Sequence, residues 1–463
     1  MRLFVLCLLT YALLFTGGSS NTITRVGLAQ SIVERGALTV DGVAALTVDK
    51  AEMGGHFYLD KAPGLSFLAV PATWAVTRVL ALVRPGMATD VGADGALTAG
   101  FYAVTYAATL SVVGVLAAGG VAAVYGWGMR RGASHGGALF GAVALGFGTP
   151  FLGWSTIFFG HAAAGALLLL GFLLLRGAAG VWRGAAAGAV LGAAFVVEFP
   201  AGPAVAIVGG AVFAAAVVGR MPLPRLVRVF GAAALGLGAM LVPLLAYDAA
   251  AFGSPFRLGY GAVVDWPGMR QGVFGLTAPD AGVAWAVLFG LYRGLLPLAP
   301  VLAFVPLGAV LLWRRGERLT VAVAGLVAVY YVGMNASYFY WDGGWSTGPR
   351  HIVPMLPLLG LLLVPVWDWA GRMRWAAGTV LGASVAISVC CALTTVTAPD
   401  LSSGVAGAMR PFWDIVLPMA ASGDFHRLVT ARFPGGNGVA GLVPLMVVWG
   451  VVGTPLMGRG HSL

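Results

Sequence analysis

Long apolar runs, separated by short polar or charged stretches, fill most of this chain. Many of them approach the roughly 20 residues that a helix needs to cross a bilayer. Backbone groups in lipid must be hydrogen-bonded internally, so we expect helices, and the continuity of the runs argues against a β-barrel. The pattern predicts an all-α polytopic membrane protein with about twelve spans (eleven to thirteen). The predicted spans are residues 2–18, 97–128, 136–152, 158–175, 184–198, 201–219, 229–247, 283–313, 319–334, 353–367, 376–394 and 438–456.

Composition agrees with this pattern. The mean hydropathy is +0.90 and 59% of residues are hydrophobic, which excludes an ordinary soluble domain. The 70 glycines would let membrane helices pack closely, although the codon usage of a GC-rich genome explains a larger share of them. Cys7, Cys390 and Cys391 lie in apolar stretches, where we interpret them as small core residues. The first apolar run is interpreted as a retained span instead of a cleaved signal peptide.

Charge predicts the orientation in the membrane. The net charge of +10 is scattered over helix ends without a basic run, so nucleic acid is not an expected partner. Residues 64–83 are apolar enough to span, but Arg78 and Arg84 accompany them. If this segment lies at the interface instead, the inner side carries about +12 and the outer side about −2, as the positive-inside rule requires. The inner arginines are then Arg2, Arg130, Arg131, Arg176, Arg183, Arg220, Arg225, Arg228, Arg314, Arg315, Arg318, Arg372, Arg374 and Arg459.

This orientation predicts a single transmembrane domain over residues 1–463 with both termini cytoplasmic. We expect the membrane to be a bacterial inner membrane. The large loops would share the outer compartment. Loops held by a rigid scaffold often carry function. We expect the first of them to be the catalytic region and to contain interfacial helices. The four outer loops are residues 19–96, 248–282, 335–352 and 395–437.

Ionisable residues concentrate in the first outer loop. It holds the only two lysines of the chain, Lys50 and Lys61, although 27 residues are Lys or Arg. In a chain with 10% charged residues, such a loop is where chemistry is expected. Residues 56–64 are the strongest candidate segment within this loop, because Pro63 and Gly64 break the chain just before an apolar helix. The loop also contains Glu34, Asp41, Asp49, Glu52, His56, Tyr58 and Asp60.

Two features of this loop have alternative interpretations. Residues 21–35 have helical spacing of apolar positions and predict an amphipathic helix on the membrane surface, capped by Asn21 or Thr22 and ended by Gly36. A plain connecting helix fits equally well. Asp60 and Lys61 form either an interfacial ion pair or a carboxylate base beside a cation that receives an anionic group.

Three further outer-face features are candidate site residues. His161 follows Phe-Phe-Gly at the end of a span, where a structural role is the commoner one. Glu198 lies between two spans, where a costly boundary acid is a functional candidate and helix capping is an alternative. The aromatic loop with Trp345 ends in Gly-Pro-Arg350-His351. An aromatic membrane belt explains its Trp and Tyr residues, whereas a tight loop that presents Arg350 at a helix start suits phosphate binding.

These motifs, in this order and on one face, resemble those of the GT-C type membrane glycosyltransferases. The resemblance is to the dolichyl-phosphate-mannose–protein mannosyltransferase-like group and to the bacterial lipid A aminoarabinose transferases. It rests on the first-loop helix, on Asp60-Lys61-Ala62-Pro63-Gly64, on the Phe-Gly-His161 segment and on the Trp-Ser-Thr-Gly-Pro-Arg350 loop. It covers most of the chain in topology.

The resemblance implies inverting transfer of a sugar from a polyprenyl-phosphate donor to a lipid, glycan or protein acceptor. Lys61 matches the family lysine that faces the donor phosphate, and Arg350 and Arg25 are further cation candidates. The base candidates are Asp60, Asp49 and Asp41, in that order. His56, Tyr58, His161, Glu198, Trp345 and His351 are expected in the pocket. The family sometimes uses a divalent metal ion, but no ligand cluster in this sequence compels one.

One departure from the family leaves alternatives open. These families usually place an acidic residue just after the first span, where this chain has Asn21. An amide cannot accept a proton at neutral pH, so another carboxylate takes the role or the chain is an inactive relative. A transporter or flippase is the other alternative, because about twelve spans suit one. No convincing internal repeat supports it, and the charged residues cluster in outer loops, not mid-span.

Overall fold

The computed structural model describes residues 1–87, 89–92, 94–433, 436 and 438–457, so Arg459 lies outside the described residues. Regular structure there is almost entirely helical, with one short antiparallel hairpin of β1 (Ala51–Met53) and β2 (His56–Tyr58). The helices are α1 (Arg2–Ala12), α2 (Ser20–Gln30), α3 (Gly64–Val83), α4 (Ala99–Ala108), α5 (Val115–Arg130), α6 (His135–Phe147), α7 (Phe151–Trp154), α8 (Gly160–Arg176), α9 (Val181–Val197), α10 (Ala201–Val218), α11 (Leu223–Phe252), α12 (Ala281–Phe289), α13 (Leu295–Leu298), α14 (Val305–Arg314), α15 (Arg318–Ala336), α16 (Leu356–Ala370), α17 (Arg374–Leu393), α18 (Leu417–Ser422), α19 (Val443–Val448) and α20 (Thr454–Met457).

Several helices are long and apolar enough to cross a membrane. Within the described residues there are 6 such candidates by length and composition, and shorter apolar helices accompany them. The prediction of a helical polytopic membrane protein therefore agrees with the structure, while the number of about twelve spans remains a prediction. The candidates are Gly64–Val83, Ala99–Arg130, Ala201–Val218, Leu223–Phe252, Arg318–Ala336 and Arg350–Leu393.

Helix boundaries differ from the predicted spans where charge and proline interrupt the hydropathy signal. Helix α11 continues beyond the predicted span 229–247 at both ends, because charged residues at a helix end do not stop its backbone hydrogen bonds. The outer loop predicted from residue 248 therefore begins only after Phe252. The predicted span 283–313 is broken into α12, α13, a 3-10 turn at Pro300–Phe304 and α14. Helix α3 is long enough to span, so its interfacial placement stays a prediction.

Helix α2 is more enclosed than its amphipathic pattern indicates. Ser19 caps it by accepting from the Thr22 backbone N–H at 3.4 Å, so the expected Asn21 or Thr22 cap is wrong. A π-helical turn, Ser31–Arg35, follows α2, and Gly36 ends it with φ of 63°, as predicted. All residues from Asn21 to Gln30 are buried. The polar face of α2 is covered because Thr24 Oγ1 donates to the Asp49 carbonyl at 2.6 Å.

The chain forms two compact units. Unit I consists of Met1–Phe15, Gly114–Thr156 and Ala278–Leu463, and unit II of Thr16–Val113 and Ile157–Thr277. In unit I, α6 packs against α5 and α16, and α14 packs against α16. All three cysteines belong to unit I and are free thiols; Cys7 is buried and the other two are partly buried.

Unit II carries the ionisable first loop on a tightly packed helical base. Helix α9 packs against α8 and α11, and α3 packs against α2 and α4. A small apolar core of Ala62, Val196, Phe199 and Leu244 lies directly behind the segment that contains Asp60 and Lys61. Gly64 begins α3 at a close approach, since a Cβ there would lie 2.4 Å from the Val196 carbonyl oxygen. The 60–64 segment is therefore fixed against the end of α9.

Candidate functional site

Asp60, Lys61 and Asp49 form a buried charge cluster in unit II. The Lys61 ammonium donates to Asp49 Oδ1 at 3.1 Å and also to Asp60 Oδ2. The Asp60 side chain is 1% exposed, whereas that of Lys61 is 21% exposed. Asp60 Oδ1 is buried without a hydrogen-bond partner among the described residues. The first two candidates for the base and the first candidate for the phosphate ligand are therefore in direct contact.

The β-hairpin explains why Asp49 and Asp60 meet. Ala51 pairs with Tyr58 in the antiparallel register, and two residues farther out this register places Asp49 opposite Asp60. The hairpin turns through Gly54 and Gly55, whose φ angles are 62° and 81°, a region that glycine adopts without strain. Lys61 follows Asp60 and lies between the two carboxylates.

Arg25 of α2 lies beside this cluster. Its side chain is buried, with Nε donating to Asn21 Oδ1 at 2.7 Å and Nη1 donating to the Ala62 carbonyl at 3.0 Å. Ser66 Oγ donates to the Arg25 carbonyl at 2.8 Å, so α2 and the first turn of α3 are fixed together. Asn21 therefore supplies Arg25 with a neutral acceptor at the position where the resembling families place an acid.

Burial and the neighbouring opposite charges shift the pKa values of the cluster in opposite directions. Burial raises the pKa of the Asp60 carboxyl above its ordinary value, and this outweighs the Lys61 ammonium, which lowers it. Burial lowers the pKa of the Lys61 ammonium, but Asp49 and Asp60 together outweigh burial and raise it above its ordinary value. Burial lowers the pKa of Arg25, against the attraction of Glu198 first and of Asp60 and Asp49 after it. Lys61 thus remains a cation, and Asp60 takes up a proton more readily than an exposed aspartate.

His161 and Glu198 form a second buried pair in unit II. His161 is in the first turn of α8, Glu198 follows the last residue of α9, and His161 Nδ1 lies 2.6 Å from Glu198 Oε1. Each side chain is 9% exposed. The pair lies near the charge cluster, because Gly64, three residues after Lys61, packs closely on the backbone of Val196 and Val197, the two residues before Glu198.

Asp41 begins a 3-10 turn that precedes the hairpin, and His56 and Tyr58 belong to β2. Asp41 accepts from the Phe57 backbone N–H at 2.7 Å and contacts His56 Nδ1 at 2.8 Å. This pair is exposed, with 41% of the Asp41 side chain and 60% of the His56 side chain accessible. Tyr58 packs edge-on against Phe252, at 5.7 Å between ring centroids. These contacts fix β2 to the 3-10 turn before it and to the end of α11.

Arg350, His351 and Trp345 belong to unit I. Arg350 begins a 3-10 turn ahead of α16, and its guanidinium lies 5.8 Å from the Tyr340 ring centroid. Gly343 packs on it so closely that a Cβ would lie 2.9 Å from Arg350 Nε. His351 packs edge-on against Tyr338, and Trp345 is 56% exposed. The role of Arg350 as a second phosphate ligand stays a prediction.

Arg293 organises the loop around Trp345, and sequence reasoning missed it. Its buried guanidinium donates to the Gly344 carbonyl at 2.7 Å and to the Asp342 carbonyl at 3.1 Å, and it stacks 4.0 Å from the Tyr292 ring centroid. The available signal was an arginine inside the apolar run 283–313.

A divalent metal does not fit the charge cluster as it stands. No group of three or more His, Cys, Asp or Glu side chains suited to a metal occurs within the described residues. The two carboxylates that could begin such a site, those of Asp49 and Asp60, already share the Lys61 ammonium. A metal ion would have to displace that cation.

Comparison with known proteins identifies the fold. No protein-family model matches the chain, and no curated protein matches it. The crystal structure of ArnT from Cupriavidus metallidurans bound to undecaprenyl phosphate matches with a TM-score of 0.53 and 16% identity, over 99% of this chain and 76% of that chain. The apo state of the same protein matches with a TM-score of 0.49 and 17% identity, over 98% and 76% of the two chains. ArnT is a lipid A aminoarabinose transferase of the GT-C fold. The expected resemblance is confirmed at the level of the fold: this chain is a multi-pass membrane protein with an ArnT-like architecture.

Proposed function

We propose that this protein transfers a sugar from a polyprenyl-phosphate donor to a lipid, glycan or protein acceptor. The carrying observation is the buried cluster in which Lys61 and Arg25 lie beside Asp60 and Asp49, within an ArnT-like fold. That the ArnT structure holds undecaprenyl phosphate supports a polyprenyl phosphate as partner. A cation for the lipid phosphate and a carboxylate base for the nucleophile support this reaction class.

In this proposal Lys61 and Arg25 receive the donor phosphate. Lys61 is the accessible cation of the cluster, and its raised pKa keeps it charged over the physiological range. As the bond between the anomeric carbon and the phosphate oxygen breaks, the electron pair moves onto that oxygen. Its growing negative charge is stabilised by the ammonium. By analogy with an oxyanion-hole donor, such a contact lowers the barrier by about 3–4 kcal/mol.

Asp60 is the proposed base. Its Oδ2 is held by Lys61, which leaves the unpartnered Oδ1 to take the proton from the acceptor hydroxyl or amine. The deprotonated acceptor then attacks the anomeric carbon opposite the leaving phosphate, so the configuration inverts. Asp49 fixes Lys61 from the other side.

We place this chemistry on the extracytoplasmic face of a bacterial inner membrane, with both termini in the cytoplasm. The support is the distribution of arginine, which concentrates in the loops that would then face the cytoplasm. The donor would enter sideways from the bilayer, since its polyprenyl chain is as apolar as the lipid tails.

Transfer from radiolabelled undecaprenyl-phosphate sugars to membrane lipids and glycans, by the protein in proteoliposomes, tests the proposal. Asp60→Asn keeps the shape of the side chain and removes its basicity, so we expect turnover to fall by about 10²–10⁴-fold while undecaprenyl phosphate still binds. Lys61→Met is expected to weaken donor use. Asp424→Asn, an exposed acid of unit I, is the matched control and should retain wild-type turnover.

Three outcomes would contradict the proposal at different points. Wild-type turnover by Asp60→Asn refutes the base. Binding of undecaprenyl phosphate that is the same in wild-type and Lys61→Met protein refutes the phosphate site. Binding without any transfer by the wild-type protein favours an inactive relative, which the neutral Asn21 beside Arg25 would explain.

A further inference from the structure

One carboxylate oxygen of the His161–Glu198 pair has no hydrogen-bond partner among the described residues. Glu198 Oε1 contacts His161 Nδ1, but Glu198 Oε2 is buried and has no hydrogen-bond partner among the described residues. A buried acceptor left unsatisfied destabilises the folded protein, so such atoms in native proteins need an explanation. A bound group that donates a hydrogen bond would supply the missing partner.

Glycine and aromatic rings shape the surroundings of this oxygen. A Cβ at Gly160 would lie 3.0 Å from Glu198 Oε2, so any other residue there would crowd it. The Phe159 ring lies 5.8 Å from the His161 ring, and Phe199 packs edge-on against Tyr260 at 5.3 Å. The histidine partner and the chain neighbour of Glu198 thus both contact aromatic rings, which suits a sugar because it combines hydroxyl donors with apolar C–H faces.

The pair also neighbours the proposed phosphate ligands. Glu198 is the strongest attractive charge on Arg25, ahead of Asp60 and Asp49. Arg25 in turn donates to the carbonyl of Ala62, the residue after Lys61. In a sugar phosphate, a single oxygen joins the ring to phosphorus, so the sugar must lie next to the cations that hold the phosphate.

We propose that the His161–Glu198 pair is the subsite for the donor sugar, with Glu198 Oε2 accepting a hydrogen bond from a ring hydroxyl or amino group. The inference rests on the proposed function and adds to it the residues that distinguish a sugar-bearing lipid from the bare lipid phosphate. His161 is a positioning residue, because its contact with Oε1 orients the carboxylate. No bond is made or broken at this subsite.

The affinity ratio between two lipids measures the subsite directly. Wild-type protein in nanodiscs should bind undecaprenyl phosphate carrying mannose, glucose or aminoarabinose, whichever is its donor, at least about tenfold more tightly than undecaprenyl phosphate itself. Glu198→Gln should bring this ratio close to one and leave the affinity for undecaprenyl phosphate within about twofold, because Gln keeps the size of the side chain but loses the charged acceptor. Glu198→Asp, which keeps the charge and withdraws it by one methylene, should lower the ratio as well.

A deoxy donor locates the hydroxyl that Glu198 binds. Among donors that each lack one hydroxyl, one should lose about 10- to 100-fold in wild-type affinity and nothing further in Glu198→Gln protein. The exposed pair of His426 and Asp424, 3.4 Å apart, provides the control, and Asp424→Asn should leave the ratio unchanged.

The outcomes separate this inference from the proposed function. A wild-type ratio above one that Glu198→Gln leaves intact overturns the subsite. Equal weakening of both lipids by Glu198→Gln and Glu198→Asp overturns it too, since the pair then only supports the phosphate cluster. Loss of the acidic limb of the pH–rate profile in Glu198→Gln would make the pair the base instead. If no lipid binds the wild-type protein, the proposed function and the subsite are both wrong. Lipid binding without sugar transfer contradicts only the proposed catalysis.

Discussion

The two carboxylate oxygens of Asp60 have different surroundings. Oδ2 accepts from the Lys61 ammonium, whereas Oδ1 is buried without a hydrogen-bond partner among the described residues. Burial raises the pKa of the carboxyl, and the neighbouring ammonium lowers it again in part. Because a base acts only when it is ionised, this balance sets the lowest pH at which the proposed reaction proceeds.

The pH dependence of kcat/KM should therefore have an acidic limb controlled by Asp60. Activity is expected to fall as the pH drops through the raised pKa, that is, at a higher pH than an exposed aspartate with a pKa of about 3.9 would give. Lys61→Met removes the cation that lowers the Asp60 pKa, so the limb of the residual activity should move to still higher pH. Initial rates measured at several pH values for both proteins check this. An acidic limb at the same pH in both would contradict the coupling.

The sequence identified the two central residues of the cluster but not how they are held. Asp60 and Lys61 stood out because ionisable residues are rare in this chain. The contact of Asp49 with Lys61 depends on the register of the hairpin. This register could not be predicted from the sequence, because the two strands have only three residues each around a Gly-Gly turn. Arg293 escaped notice because its partners are mostly backbone carbonyls from distant segments, which leave no pattern in the sequence.

At the scale of elements, α9 and α11 show what the abundant glycine does in unit II. Gly184, Gly188 and Gly192 recur every four residues on α9, so they share one face. A Cβ at Gly188 would lie 1.8 Å from the Ala233 carbonyl oxygen of α11. The two backbones therefore lie closer than any larger residue permits, which is how small residues bring membrane helices together. Here glycine has a structural use beyond the codon usage that explains much of its number.

Gly188→Ala should destabilise the protein because α11 has to move away to accommodate the methyl group. We expect a loss of about 1–3 kcal/mol, as for other overpacked interiors. Thermal and denaturant unfolding of the purified protein in detergent measures it. Gly210→Ala on α10 is the matched control, because a Cβ there meets nothing within 4 Å, and it should be neutral or slightly stabilising. Equal stability of the two variants would contradict the close packing.

The sequence predicted helices more reliably than their ends. Apolar runs located most of the long helices because burial in lipid or protein requires them. The runs did not locate the ends of α11, since Arg225, Arg228 and Asp248 lower the hydropathy without ending the helix. The burial of the polar face of α2 was also hidden, because its partners come from a loop 25 residues away in sequence.

At the scale of the whole molecule, the arginine distribution predicts how the ArnT-like fold is oriented in the membrane. The fold establishes a multi-pass membrane protein, and the short arginine-rich loops would face the cytoplasm. The assignment depends on α3, which is long enough to cross the membrane but which the charge rule predicts to lie at the interface. If α3 crosses, every later loop changes sides and the charge rule fails.

Single cysteines on exposed positions decide this orientation. In a background without the native cysteines, Glu52→Cys before α3 and Arg84→Cys after it should both react with a membrane-impermeant maleimide added to intact spheroplasts. Arg315→Cys, in the loop between α14 and α15, should react only after permeabilisation. The reason is that an interfacial α3 leaves both of its ends in the outer compartment. Protection of Arg84→Cys in intact spheroplasts would show that α3 crosses, and it would place Arg315 on the opposite side from the one that the positive-inside rule requires.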